Sequence, residues 1–153
     1  MSHQSINGLK KRLVAVLTIK KGIVVQSINF KRYLPIGKPE IAIDYLNKWG
    51  VDEIILLDLD ATLEKRGPNF DLIKKCSEKC FVPLTIGGGL NELNQMKELI
   101  RRGADKISIN TAAVKNPEII KEAASILGNQ CVVISIDVKK EESGKYVIYL
   151  GSG

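Results

Sequence analysis

The chain has 153 residues, 44% hydrophobic and 26% charged, which describes one ordinary globular domain and excludes a disordered or collagen-like chain. The net charge of +6 comes from scattered Lys and Arg interleaved with Asp and Glu. Without an aromatic-plus-basic motif, that balance points to solvated surface or anionic small molecules before nucleic acid. No apolar run reaches the roughly 18 residues of a membrane span, so no membrane partner is expected. Three cysteines, Cys76, Cys80 and Cys131, with no secretory leader predict free thiols and a cytoplasmic protein. Cys76 and Cys80 lie four apart, but His3 is the single histidine, so neither a metal site nor a cofactor is expected.

Residues 1–10 are polar and predict a flexible tail, with the domain over 11–153. Leu13-Val14-Ala15-Val16-Leu17 predicts a strand that ends on Thr18. Gly22 turns the chain into Ile23-Val24-Val25, a β-rich arm able to pair back near Ile19. Asn29 to Pro39 contains Pro35 and Gly37 and predicts a long loop, mobile or functional. Pro39 opens a helix with Ile41, Ala42, Tyr45, Leu46 and Trp49 on one face, closed by Gly50. Glu53 to Asp58 predicts the next strand, followed by a polar loop through Pro68 and a helix over about 70–79.

Leu84-Thr85-Ile86 then runs into Gly87-Gly88-Gly89, and a helical pattern follows from Asn91. Leu93, Met96, Leu99 and Ile100 share a helix face that stops at Gly103. Lys106-Ile107-Ser108-Ile109 predicts a strand ending on Asn110-Thr111, with Thr85 and Ser108 as polar core residues. Pro117 starts another helix, and Cys131 to Asp137 predicts the fifth strand. Tyr146 to Tyr149 predicts an extra strand paired back onto it across Ser143-Gly144.

Helix, glycine, apolar strand and polar strand-end recur from Gly50 to Asp58, Gly103 to Asn110 and Gly128 to Asp137. Strands alternating with helices predict an α/β fold with a parallel sheet. An open doubly wound sheet and part of a (β/α)₈ barrel both fit that rhythm. Polar residues at nearly every strand end favour the barrel, whose chemistry is gathered from several strands. An open half-barrel has unpaired edges and an exposed core side, which predicts a longer protein or a homo-oligomer that covers them.

The strand ends are the candidate site. Glycines between a strand and a helix let backbone N–H groups approach an anion, although a plain βα turn needs glycine as well. Asn110 and Thr111 end the next strand and could complete the cradle, or else cap the helix beyond them. Asp58 and Asp137 each end an apolar strand, where low dielectric raises a carboxyl pKa and suits acid/base work. A helix cap or a structural ion pair is the bland alternative for both.

Leu84 to Gly89, Gly103 to Val114 and Val132 to Asp137 resemble the cyclase-subunit family of imidazole glycerol phosphate synthase, a group of histidine-biosynthesis barrels. The resemblance runs from about Lys11 to Gly151. It implies a (β/α)₈ barrel, here its first five strands, that takes ammonia from a partner glutaminase. It also implies cyclisation of a phosphoribosyl-type nucleotide at the C-terminal face. Gly88, Gly89, Asn110 and Thr111 match the phosphate site, and Asp137 matches one of two catalytic aspartates. Asp58 matches another active-site carboxylate. At the opposite mouth, Arg12, Glu53 and Lys106 match charged residues that ring the ammonia entrance, and Asp105 matches a glutaminase contact.

Thr18 stands where the family has its other catalytic aspartate, and a hydroxyl cannot act as a carboxylate. Gln26 stands where it has a phosphate-contacting lysine. These departures resemble paralogues of surface-polysaccharide clusters, which implies an alternative: docking a glutaminase and passing ammonia on for acetamidino-sugar synthesis. A phosphate-binding module without catalysis is the third reading.

Overall fold

A computed structural model describes residues 10–29 and 31–150. The tail expected over 1–10, except Lys10, lies outside the described residues, as do Phe30 and Gly151. The chain runs β1 (Val14–Lys20), β2 (Ile23–Ile28), β3 (Arg32–Gly37), α1 (Pro39–Lys48), β4 (Glu53–Asp58), α2 (Asp60–Leu63), α3 (Phe70–Ser77) and β5 (Leu84–Gly87). It continues through α4 (Leu93–Arg101), β6 (Lys106–Ile109), α5 (Thr111–Lys115), α6 (Glu118–Leu127) and β7 (Val132–Ile134). It closes on a separate hairpin, β8 (Asp137–Lys140) and β9 (Tyr146–Tyr149).

One sheet is ordered β3-β2-β1-β4-β5-β6-β7. From β1 to β7 the pairing is parallel, and β2 and β3 add an antiparallel arm. This is an α/β architecture with the first five strands of a (β/α)₈ barrel. One face lies under the helices, with Ile54, Leu84, Ile107 and Ile109 at 0–1% exposure. On β1 the opposite face is open, with Val14 41% and Val16 55% exposed, as expected for a half-barrel interior. Thr85 and Ser108 are buried.

Three expectations are corrected. The loop predicted over 29–39 is largely strand, because Arg32–Gly37 pairs antiparallel with β2. Pro35 fits there because β3 is an edge, where a missing N–H breaks no ladder. Next, the buried stripe of α1 is rotated from the expected one: Pro39 and Ile43 face the core and Leu46 packs against it as expected, while Ile41, Tyr45 and Trp49 are 52%, 53% and 75% exposed. Last, the fifth strand stops at Ile134. Ser135 N–H still reaches Ile109 O at 2.9 Å, but β6 ends there and its chain turns into α5. With no partner left, Asp137–Lys140 pairs with Tyr146–Tyr149 in a sheet of its own.

The α1 correction is testable by urea denaturation. Ile43→Ala removes a fully buried side chain and is expected to cost about 3 kcal/mol. Ile41→Ala is expected to stay within about 0.5 kcal/mol. Equal losses would restore the face expected from periodicity.

Candidate functional site

The parallel register brings the polar strand ends together. Leu57 pairs with Gly87, and Gly87 with Ser108, so the glycine turn sits between Asp58 and Asn110. A cavity of about 170 Å³ opens there, lined by Asp58, Gly88, Gly89, Asn110, Thr111 and Asp137 among others. Six residues singled out from the sequence thus share one cavity. Thr18 does not line it; its hydroxyl donates to Val25 O at 2.7 Å and is used by the antiparallel arm.

The turn is held by close packing. Gly88 has φ +107°, and a Cβ there would lie 2.3 Å from Asp58 O. Gly89 has φ +69°, and its Cβ would meet Ala61 Cβ at 2.7 Å and Arg66 O at 2.8 Å. Both positions demand glycine for strain and for space. Gly89 N–H donates to Thr62 Oγ1 at 3.2 Å. The helix beyond is α4, whose first free donors are partly taken: Gln95 Oε1 accepts the N–H groups of Asn91 and Glu92 at 3.2 and 3.3 Å.

The two aspartates differ. Asp58 is a structural hub, gripped by Arg66, whose Nη1 and Nη2 donate to its carboxylate at 2.9 and 3.0 Å. The same carboxylate accepts the N–H groups of Asp60 and Ala61 at 3.1 and 3.2 Å, capping α2. The apolar surround expected for Asp58 is therefore an ionic one, and the cap and ion-pair alternative describes its contacts. Asp137 starts the hairpin and is exposed, so the expected low-dielectric surround is absent there too. Its Oδ2 accepts Asn110 Nδ2 at 2.9 Å. Thr111 lies half-buried beside it, at the start of α5 rather than capping the helix after Pro117.

Sequence reasoning passed over Arg66, Asp60, Thr62 and Lys20. Asp60, 5% exposed, accepts Lys20 Nζ at 2.7 Å and Lys21 N–H at 2.6 Å, tying β1 to α2. Burial raises its carboxyl pKa, yet the Lys20 and Lys21 hydrogen bonds outweigh this and hold it below the ordinary value. The signal was present in Asp58-Leu59-Asp60 followed by Arg66, but nothing in the spacing says which cation meets which acid.

At the other end of the sheet, Glu53 is 7% exposed and lies beside Lys106. Glu53 Oε1 accepts Lys106 Nζ at 2.7 Å and Thr85 Oγ1 at 3.1 Å. Burial pushes its carboxyl up, but those hydrogen bonds and the charges of Lys106 and Arg12 prevail and hold it below the usual glutamate range. Asp105 is used locally: its Oδ2 accepts Leu84 N–H at 2.8 Å, and Asp105 N–H returns to Leu84 O at 2.9 Å. Asp52 repeats the clamp one unit earlier, accepting Leu13 N–H at 2.7 Å. Among the described residues no group of acidic, His and Cys side chains could hold a metal ion.

The family model described as histidine biosynthesis protein matches residues 12–152. The chain belongs to that family. It is 49% identical over 133 residues to a Vibrio vulnificus protein provisionally named imidazole glycerol phosphate synthase subunit hisF2, covering 87% of this chain and 49% of that one. The Methanococcus vannielii imidazole glycerol phosphate synthase subunit HisF is 45% identical over 154 residues, covering 95% of this chain and 57% of the relative. The subunit HisF of Clostridium botulinum is 44% identical over 134 residues, covering 88% and 53%. The chain spans about half the length of the curated relatives it matches.

The Glu53 pair sets an acid limb for stability in this family member. A carboxyl whose folded pKa is depressed stabilises fully above its unfolded value, about 4.3, and loses that contribution as pH falls through the folded value. Glu53→Gln is expected to cost about 2 kcal/mol at pH 7, leaving Lys106 without its counter-charge. It should also flatten the decline of unfolding free energy below about pH 5. Parallel pH profiles for the two proteins would contradict this.

Proposed function

We propose that residues 11–153 form the N-terminal part of an imidazole glycerol phosphate synthase cyclase-type subunit. In this reading the subunit uses ammonia from a partner glutaminase on a phosphoribosyl-type substrate. The observation that carries it is the convergence of Asp58, Gly88, Gly89, Asn110, Thr111 and Asp137 on one cavity at the C-terminal ends of parallel strands. The family membership and the names of the relatives support the same reading.

Each residue takes a role from its contacts. Gly88 and Gly89 keep the backbone bare on the cavity wall, and with the Asn110 and Thr111 side chains they form the phosphate cradle. Asp137 carries protons: Asn110 orients one oxygen, and the other has no partner among the described residues. Asp58 acts through position, its carboxylate committed to Arg66 and the start of α2. Arg12, Glu53 and Lys106 form part of the ammonia entrance, and Asp105 contacts the glutaminase with the oxygen that Leu84 leaves free. A further stretch of barrel or a second copy covers the open face that Val14 and Val16 line.

Thr18 favours a second reading. With its hydroxyl bonded to Val25 O and no carboxylate in its place, the cyclisation loses one of its two acid/base groups. The protein would then dock a glutaminase and deliver ammonia to a separate amidotransferase for acetamidino-sugar synthesis.

A coupled assay of the full-length protein with its glutaminase and the histidine-pathway nucleotide separates the two. Cyclisation that falls at least about 100-fold in Asp137→Asn supports the first reading. Glutaminase stimulation without cyclisation supports the second. Unchanged turnover in Asp137→Asn removes that residue from the chemistry.

A further inference from the structure

A second groove lies outside the strand-end cavity and shares one wall with it. Its volume is about 410 Å³, and Thr62, Gly89, Leu90 and Thr111 line both spaces. The two sides of that wall have opposite charge. The inner cavity presents the carboxylates of Asp58 and Asp137, whereas Lys65, Arg66 and Lys115 line the outer groove.

Arg66 is committed to Asp58 and Glu64. Neither the Lys65 nor the Lys115 ammonium has a hydrogen-bond or ion-pair partner among the described residues. The outer groove holds one carboxylate, Glu92, at the entry to α4. Lys65 is also held at φ +50°, a left-handed conformation that glycine or asparagine adopts at lower cost.

We propose that the ligand's phosphoryl group is seated toward this outer groove, with Lys65 and Lys115 as its counter-cations. The ligand's reacting end lies on the inner side with Asp137. The charge difference across the Gly89–Thr111 wall fixes this orientation. A phosphoryl group turned inward meets the Asp137 carboxylate, which has no ionic partner among the described residues, and one turned outward meets two unpaired ammonium groups against the single carboxylate of Glu92. The inference rests on the phosphate reading above and adds the cations that complete the site and set the ligand's direction.

Calorimetric titration of the full chain with inorganic phosphate tests it. Lys65→Met and Lys115→Met should each weaken binding about tenfold, and the double variant 50-fold or more. Both side chains are exposed, so thermal unfolding should be unchanged. Lys65→Arg and Lys115→Arg, which keep the charge, should keep affinity within about threefold. Asp137→Asn should not weaken phosphate binding. Phosphate binding lost in Gly89→Val but within twofold of the parent in the double Lys→Met variant overturns this proposal and leaves the cradle standing. Affinity unchanged in Gly89→Val overturns the cradle itself, and no binding by the parent chain overturns both.

Discussion

The C-terminal end of the sheet depends on one close approach, that of the Gly88 backbone to the backbone of Asp58. A single added carbon at Gly88 would lie 2.3 Å from Asp58 O. The parallel ladder brings the ends of β4 and β5 together, Gly88 lets the chain pass this close to Asp58, and Gly89 beyond it packs on Ala61 of the short helix α2. The rest of the site follows from it. Ala61 and the Arg66 carbonyl close on Gly89, and Thr62 accepts its N–H. Asp58 stays beside the turn because Arg66 grips its carboxylate and α2 donates to it. Gly88 and Gly89 are thus required by steric closeness to Asp58, Ala61 and Arg66.

The two ends of the sheet handle charge differently. At the N-terminal end, Glu53 and Lys106 neutralise each other, with Thr85 supplying a second donor. Asp52 and Asp105 are consumed as clamps on the start of the preceding strand. At the C-terminal end, two ion pairs, Asp58–Arg66 and Lys20–Asp60, brace the frame. Among the described residues lining the two spaces, Asp137 on the inner side and Lys65, Lys115 and Glu92 on the outer side are left without ionic partners. A charge already paired is a weak instrument for binding, because its partner must be displaced first. The proposed binding and proton-transfer roles therefore fall on unpaired charges.

Much of this was legible in the sequence, for reasons particular to its elements. The parallel strands read correctly because each is a short apolar run bounded by glycine or polar residues, and Glu53 to Asp58 is a clear instance. The gathering of Asp58, the glycines, Asn110 and Thr111 followed from strand order alone. Other features depend on neighbours that no local pattern names. Arg32–Gly37 contains a proline and reads as loop until an edge position removes the need for its N–H. In α1, Ile41, Tyr45 and Trp49 share a periodic stripe, but the core takes Pro39, Ile43 and the flank of Leu46, an adjacent stripe of similar apolarity. Asp137 leaves the fifth strand because β6 ends first, which is a property of the partner strand. The commitment of Asp58 to Arg66 depends on α2, a four-residue helix too short to announce itself.

The central proposal is that Gly88, Gly89, Asn110 and Thr111 form an anion cradle at one end of a sheet whose other end pairs Glu53 with Lys106. Amide chemical-shift mapping during titration with inorganic phosphate tests it most directly. The account predicts the largest shifts at Gly88, Gly89 and Thr111, with Glu53, Thr85 and Lys106 unmoved. Shifts concentrated at the Glu53–Lys106 end, or spread over the surface lysines while Gly89 stays fixed, would contradict it.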